Sequence, residues 1–175
     1  NEYVQYDDSS KAVTGSKSAY KNYYVYEAQN AEISLNDEKT PATYKAVEGT
    51  AWDVITDLYK KGGTIKYNIN TQNYGMSDID IVMASCWYDK AGTLQEITNV
   101  SDWIKIEING LLVRTEDFTL KDDGSFEHLI LKDTHLMEGA NTLAIKTAVN
   151  NTVTGSTDLY VMPDIRNIAV ITNCQ

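Results

Sequence analysis

Positive charge is scarce in this chain, and long apolar runs are missing. Its 175 residues carry 15 Lys and Arg against 25 Asp and Glu, a formal net charge of −10. Nucleic-acid binding relies on a cationic surface that displaces counterions from phosphate, so the charge argues against that class. An anionic membrane surface repels such a chain for the same reason. No stretch approaches the roughly 18 apolar residues of a spanning helix, so membrane insertion is not expected. No charged-then-apolar opening marks a signal peptide; a targeting segment is expected to have been removed, or the domain to derive from a longer protein.

Cysteine and histidine are equally sparse. Cys86 and Cys174 lie far apart and match no zinc spacing, since no CxxC or nearby histidine pair accompanies them. A disulfide between a middle strand and the C-terminal strand, and two buried thiols, both stay open. The histidines are His128, in a strand-like run, and His135, in a turn. With no GxSxG elbow and no Cys-His pairing, nucleophilic catalysis has no candidate, and both histidines read as surface residues. Acids abound, among them Asp53, Asp57, Asp78, Asp80, Asp89, Asp122 and Asp123. An acidic chain always supplies carboxylates, so their number does not identify a glycosidase pair. Asp122-Asp123-Gly124 is read as a turn in which Asp bonds its own backbone. The chain is not read as an enzyme.

What the sequence does contain is short alternating runs broken by turn residues. Ile65, Tyr67 and Ile69 share one face of the run 63–70, and Ile104, Ile106 and Ile108 one face of 103–108. Asn109-Gly110 then separates this run from Leu111-Leu112-Val113, a strong hairpin signal because both turn residues tolerate positive φ. Residues 78–88 read as a long strand. Ile81-Val82-Met83-Ala84 is apolar on both faces, as in a central strand. Further strands are expected over 126–131, around Leu143 and Ile145, and over 165–171. Ile65, Tyr67, Ile106, Ile108, Leu143, Ile145 and Ile168 are the expected core. The segment 50–60 is read as a loop or short helical turn. Residues 1–22 are polar, small and aperiodic in the middle and read as a linker or loosely docked arm. Residues 23–175 form a single domain in this reading. Its class is all-β, a two-sheet antiparallel sandwich.

Specific motifs sharpen this. Tyr26-Glu27-Ala28-Gln29-Asn30-Ala31 resembles the YEAENA opening of family 6 and family 35 carbohydrate-binding modules. Residues 62–70 are similar to that family's GDTIEYTVN strand, 103–110 to LEVYVNG, 136–145 to LKAGENTIRL, and 163–170 to the closing PNIDYIEV. The resemblance covers roughly residues 24 to 171 and implies a galactose-binding-like jelly roll. It also implies a non-catalytic module of a secreted or cell-surface bacterial protein, carried beside other domains of a longer parent protein. Its partner would be a carbohydrate polymer or glycan. The alternative is a structural or protein-interaction jelly roll that has lost sugar binding.

The family commonly holds a structural calcium with the two glutamates of EAE and the aspartate of NID. Here those positions are Glu27, Gln29 and Arg166. Hard cations want anionic and carbonyl oxygens, so a guanidinium in the set disfavours calcium. The expectation is no cofactor, with Arg166 pairing Glu27 instead; a metal site rebuilt from other loop oxygens is the alternative. Sugar binding needs flat aromatic faces and polar groups in a shallow site. The resemblance points to Trp52 and Tyr59 upstream of Gly62-Gly63, to Phe126 in place of the family's tryptophan, and to Asp164 in place of its asparagine. Trp87 and Tyr88 add an aromatic pair where a strand gives way to a loop. Each of these aromatics also has a plain reading as packing.

Overall fold

Each alternating run forms a strand, and the strands pair antiparallel into two sheets. The computed structural model describes residues 2–7, 20–35, 44–46, 53–56, 63–72, 75–89, 91–115, 117–148 and 162–173. Its strands are β1 Glu2–Asp7, β2 Tyr20–Glu27, β3 Glu32–Leu35, β4 Tyr44–Ala46, β5 Asp53–Ile55 and β6 Gly63–Thr71. They continue with β7 Gly75–Ala84, β8 Ile104–Ile108, β9 Leu111–Val113, β10 Glu127–Leu136, β11 Gly139–Thr147 and β12 Asp164–Asn173. The first sheet runs β1–β2–β12–β7–β10, and β5 pairs with β12 at Ile165 and with β4 on its other side. The second sheet runs β3–β6–β11–β8–β9. This is the jelly-roll β-sandwich expected from the sequence.

The core follows from the two-residue period. Ile65, Tyr67 and Ile69 of β6, Ile104, Ile106 and Ile108 of β8, and Leu143 and Ile145 of β11 form the inner face of the second sheet. Ile79, Ile81 and Met83 of β7, Leu129 and Leu131 of β10, and Ile165, Ile168 and Val170 of β12 belong to the same cluster from the first sheet. All seven residues expected in the core are buried. Each fully buried aliphatic side chain contributes about 1.5–3 kcal/mol, which makes this layer the main favourable term. β7 is central, between β12 and β10, in agreement with its apolar character on both faces.

Turn chemistry holds as read. Asn109 has φ 51° and Gly110 φ 79°, so both central residues of the β8–β9 hairpin occupy the left-handed region. Three stretches depart from expectation. Part of the 1–22 arm is ordered into the sheet: Glu2–Asp7 is an edge strand registered from Glu2 opposite Val25 to Asp7 opposite Tyr20. Within 50–60, Asp53–Ile55 is a strand rather than a loop or helical turn; Val54 and Ile55 are β-branched, and strands on both sides fix the extended backbone. The strand read over 78–88 begins earlier and ends at Ala84. Helical structure among the described residues includes the 3-10 turns 28–30 and 100–102, and no helix there is long and apolar enough to cross a membrane. Cys86 is buried with Sγ donating to the Met162 carbonyl at 2.9 Å, whereas Cys174 lies outside the described residues.

Candidate functional site

A β-bulge in β12 shapes the most distinctive surface. Pairing with β7 runs Ile165 to Met83 and then Asn167 to Val82, so Arg166 is the extra, bulged residue at that step of the ladder. Were Arg166 paired as a regular residue instead of bulged, alternation would turn Asn167 into the core. With the bulge, Ile165 and Ile168 are both buried, and the consecutive residues Arg166 and Asn167 both line a recess of about 250 Å³. The recess lies on the face of the first sheet turned away from the sandwich interior. In β2, Tyr24 and Tyr26 pack on the core, while Tyr23, Val25 and Glu27 line the recess. Asp80 and Val82 of β7, His128 of β10, Ala169 of β12 and Asp53 of β5 complete it. Val25, Val82 and Ala169 make its floor apolar, and the charged and amide groups surround them.

Two polar pairs organise this wall. His128 Nδ1 lies 2.8 and 3.0 Å from the two carboxylate oxygens of Asp80. The Asp80 side chain is 6% exposed and that of His128 54%, so a buried charge is covered by a ring open to solvent. Arg166 Nε donates to Asn167 Oδ1 at 2.9 Å, and its guanidinium carbon sits 5.7 Å from the Phe126 ring centroid, a cation–π distance. Burial lowers the Arg166 pKa from its usual value while the Asp80 charge opposes that shift. An arginine stays charged regardless.

The residues at the family's calcium positions are engaged in hydrogen bonds of their own. Gln29 Nε2 donates to Glu27 Oε2 at 2.8 Å, so the amide that replaces the second glutamate satisfies Glu27 directly. The expected Glu27–Arg166 ion pair does not form, although both groups line the recess. Arg166 turns to its neighbour Asn167 and to the Phe126 ring. The Arg166 guanidinium brings positive charge to a set that a hard cation needs anionic. Among the described residues, no group of three or more His, Cys, Asp or Glu is arranged for a metal.

The expected ligand residues fall into three groups. Phe126 and Asp164 come together at one end of the first sheet: Asp164 is opposite Ala84 at the end of β7, and Phe126 precedes Glu127, which is opposite Met83. Both are partly buried. Trp87 packs on the buried Trp103, ring centroids 5.3 Å apart and planes 46° apart, while its neighbour Tyr88 is exposed. Trp52 and Tyr59 lie outside the described residues. Sequence reasoning missed Asp80, Asn167 and Asp53 as site residues, and took His128 as a simple surface histidine. One signal was present: Ile165 and Ile168 are three apart, and two inward residues at that spacing in a strand require an extra residue between them.

No protein-family model and no curated sequence matches this chain. Solved structures do. A family 35 carbohydrate-binding module from Clostridium thermocellum is 18% identical with a TM-score of 0.59, over 85% of this chain and 96% of that one. One from Paenibacillus barcinonensis is 21% identical with a TM-score of 0.51, over 84% and 97%. A Podospora anserina β-(1,4)-mannanase bearing such a module is 16% identical with a TM-score of 0.56, over 87% of this chain but only 28% of that one. The chain has the jelly-roll fold of the family 35 carbohydrate-binding modules.

Proposed function

We propose that this protein is a non-catalytic carbohydrate-binding module of a secreted or cell-surface bacterial protein, tethering a larger enzyme or adhesin to a glycan. The recess on the first sheet is the observation that carries the reading. Its partly exposed Tyr23 and Val25 suit the C–H face of a sugar ring, and its rim of Arg166, Asn167, His128 and carboxylates suits hydroxyls. Phe126, Asp164, Tyr88, Trp87, Trp52 and Tyr59 are the proposed loop contribution. The fold supports the reading through neighbours in which such a module is one part of a longer enzyme, the mannanase among them. The carboxylates do not suggest hydrolysis. Asp80 is tied to His128 and Glu27 to Gln29, which leaves Asp53, whereas a glycosidase needs two positioned carboxyl groups.

A glycan array with and without calcium tests this, followed by calorimetry. Trp52→Ala or Trp87→Ala is expected to weaken binding by roughly 1–3 kcal/mol, the scale of an aromatic hot spot. A folded protein that binds no glycan overturns the proposal. A second reading, a structural or protein-interaction domain, is favoured by the packing of Trp87 on Trp103 and of Arg166 over Phe126, which takes two aromatics away from a free platform.

A further inference from the structure

We propose that His128, held in one tautomer by the buried Asp80, is a sugar-hydroxyl acceptor in the recess, and that the recess takes a neutral rather than an acidic glycan. This rests on the glycan-binding reading above. Burying a carboxylate is costly, and apolar replacement of a buried ion pair is often neutral or stabilising. Asp80 nevertheless occupies a buried position among Ile79, Ile81 and Val82. Stability alone does not account for a carboxylate there. Positioning a ring does.

The chemistry follows from the hydrogen bond. An ionised carboxylate only accepts, so the nitrogen it contacts, Nδ1, carries the proton. In the Nδ1–H tautomer Nε2 is an acceptor, and the ring is exposed enough to reach a ligand. A matching donor stands across the recess. Val82 is registered opposite His128 on one side and opposite Asn167 on the other. Two strand spacings separate those backbones by about 10 Å. Arg166 Nε occupies Asn167 Oδ1, which leaves the Asn167 amide N–H groups as donors. A sugar ring held between these two side chains offers hydroxyls that donate to His128 and accept from Asn167. The volume, about 250 Å³, falls below the range of about 300–1,000 Å³ usual for drug-sized ligands, as suits one sugar residue.

Charge sets the ligand class. Among the described residues, the groups around His128 are the carboxylates of Asp80 on β7, Glu27 on β2 and Asp53 on β5, and the guanidinium of Arg166 on β12. A uronate or sulfate brought here meets net repulsion, whereas a neutral sugar does not.

The test uses the ¹⁵N-labelled chain and two readouts. Long-range ¹H–¹⁵N spectra at neutral pH are expected to show the Nδ1–H tautomer of His128, altered in Asp80→Asn, whose amide can donate. Glucose, galactose, mannose and xylose are then titrated to high millimolar concentration, with glucuronate and galacturonate beside them. Any oligosaccharide selected by the array is added to the set. At least one neutral probe is expected to shift the His128 ring and Asn167 amide signals, with uronates about tenfold weaker. The double variant Asp80→Leu with His128→Phe, which leaves no buried carboxylate behind, is expected to weaken that binding about tenfold with the melting temperature retained. An Nε2–H tautomer overturns the proposal, as do uronates that bind as tightly as neutral sugars. Shifts confined to Trp87 and Tyr88 overturn it but leave the glycan-binding reading intact. Silence of every probe together with a silent array overturns both.

Discussion

Asn109 and Asn141, 32 residues apart, are bonded side chain to side chain: Asn109 Nδ2 donates to Asn141 Oδ1 at 2.9 Å. Asn141 is buried, and its Oδ1 also accepts from Met137 N at 2.8 Å while its Nδ2 donates to the Met137 and Gly139 carbonyls. Asn109 Oδ1 accepts in turn from Thr142 N at 2.8 Å. One pair thus locks the β8–β9 hairpin to the β10–β11 turn. Asn141→Ala leaves buried donors without acceptors and is expected to cost about 1–3 kcal/mol in denaturant unfolding.

The hairpin itself offers a cleaner backbone test. Gly110 has φ +79°, and a Cβ added there meets nothing within 4 Å. Gly110→Ala is therefore expected to destabilise by about 1 kcal/mol through backbone conformation alone. Gly110→Asn should cost less, since Asn tolerates the left-handed region. Denaturation midpoints at unchanged m-value check both.

Calcium is expected to leave the fold unmoved. A ligand that binds only the native state raises stability by RT ln(1 + [L]/Kd). With Gln29 donating to Glu27 and Arg166 in the set, melting in EDTA and in millimolar calcium should coincide. An upward shift with calcium that Glu27→Ala abolishes would reverse this reading.

The turn after Leu120 has a defined pH response. The Asp123 carboxyl is held below its usual value by the Ser125 side chain first and the Ser125 backbone N–H second, the latter at 2.9 Å from Oδ1. A depressed carboxyl contributes stability above its unfolded value and loses it as pH falls through the folded value. NMR titration is expected to show Asp123 ionising below an ordinary aspartate, and Ser125→Ala to move it upward.

The sandwich was legible because strict alternation in residues such as Ile65, Tyr67 and Ile69 admits one buried face. The Asn109-Gly110 hairpin was legible because positive φ restricts residue type. β1 and β5 were not: Asp53–Ile55 is three residues long, and its extended form is set by neighbours distant in sequence. The recess was hidden for two reasons. Asp80 sits in an apolar run with nothing local to mark His128 as its partner, and the β12 bulge shifts the face of every residue after Arg166. The Glu27–Arg166 pairing failed because motif positions carry no information on where a long side chain turns.

That bulge separates two properties that usually constrain each other. Remove Arg166 and the remaining order, Ile165, Asn167, Ile168, still alternates inward, outward, inward, so the ladder with β7 closes without it. Among the described residues that line the recess, the only lysine or arginine is thus one that the sheet can spare. Selection or design can change or delete that charge while every other residue of β12 keeps its face. The charge of this recess can therefore drift without the fold having to follow.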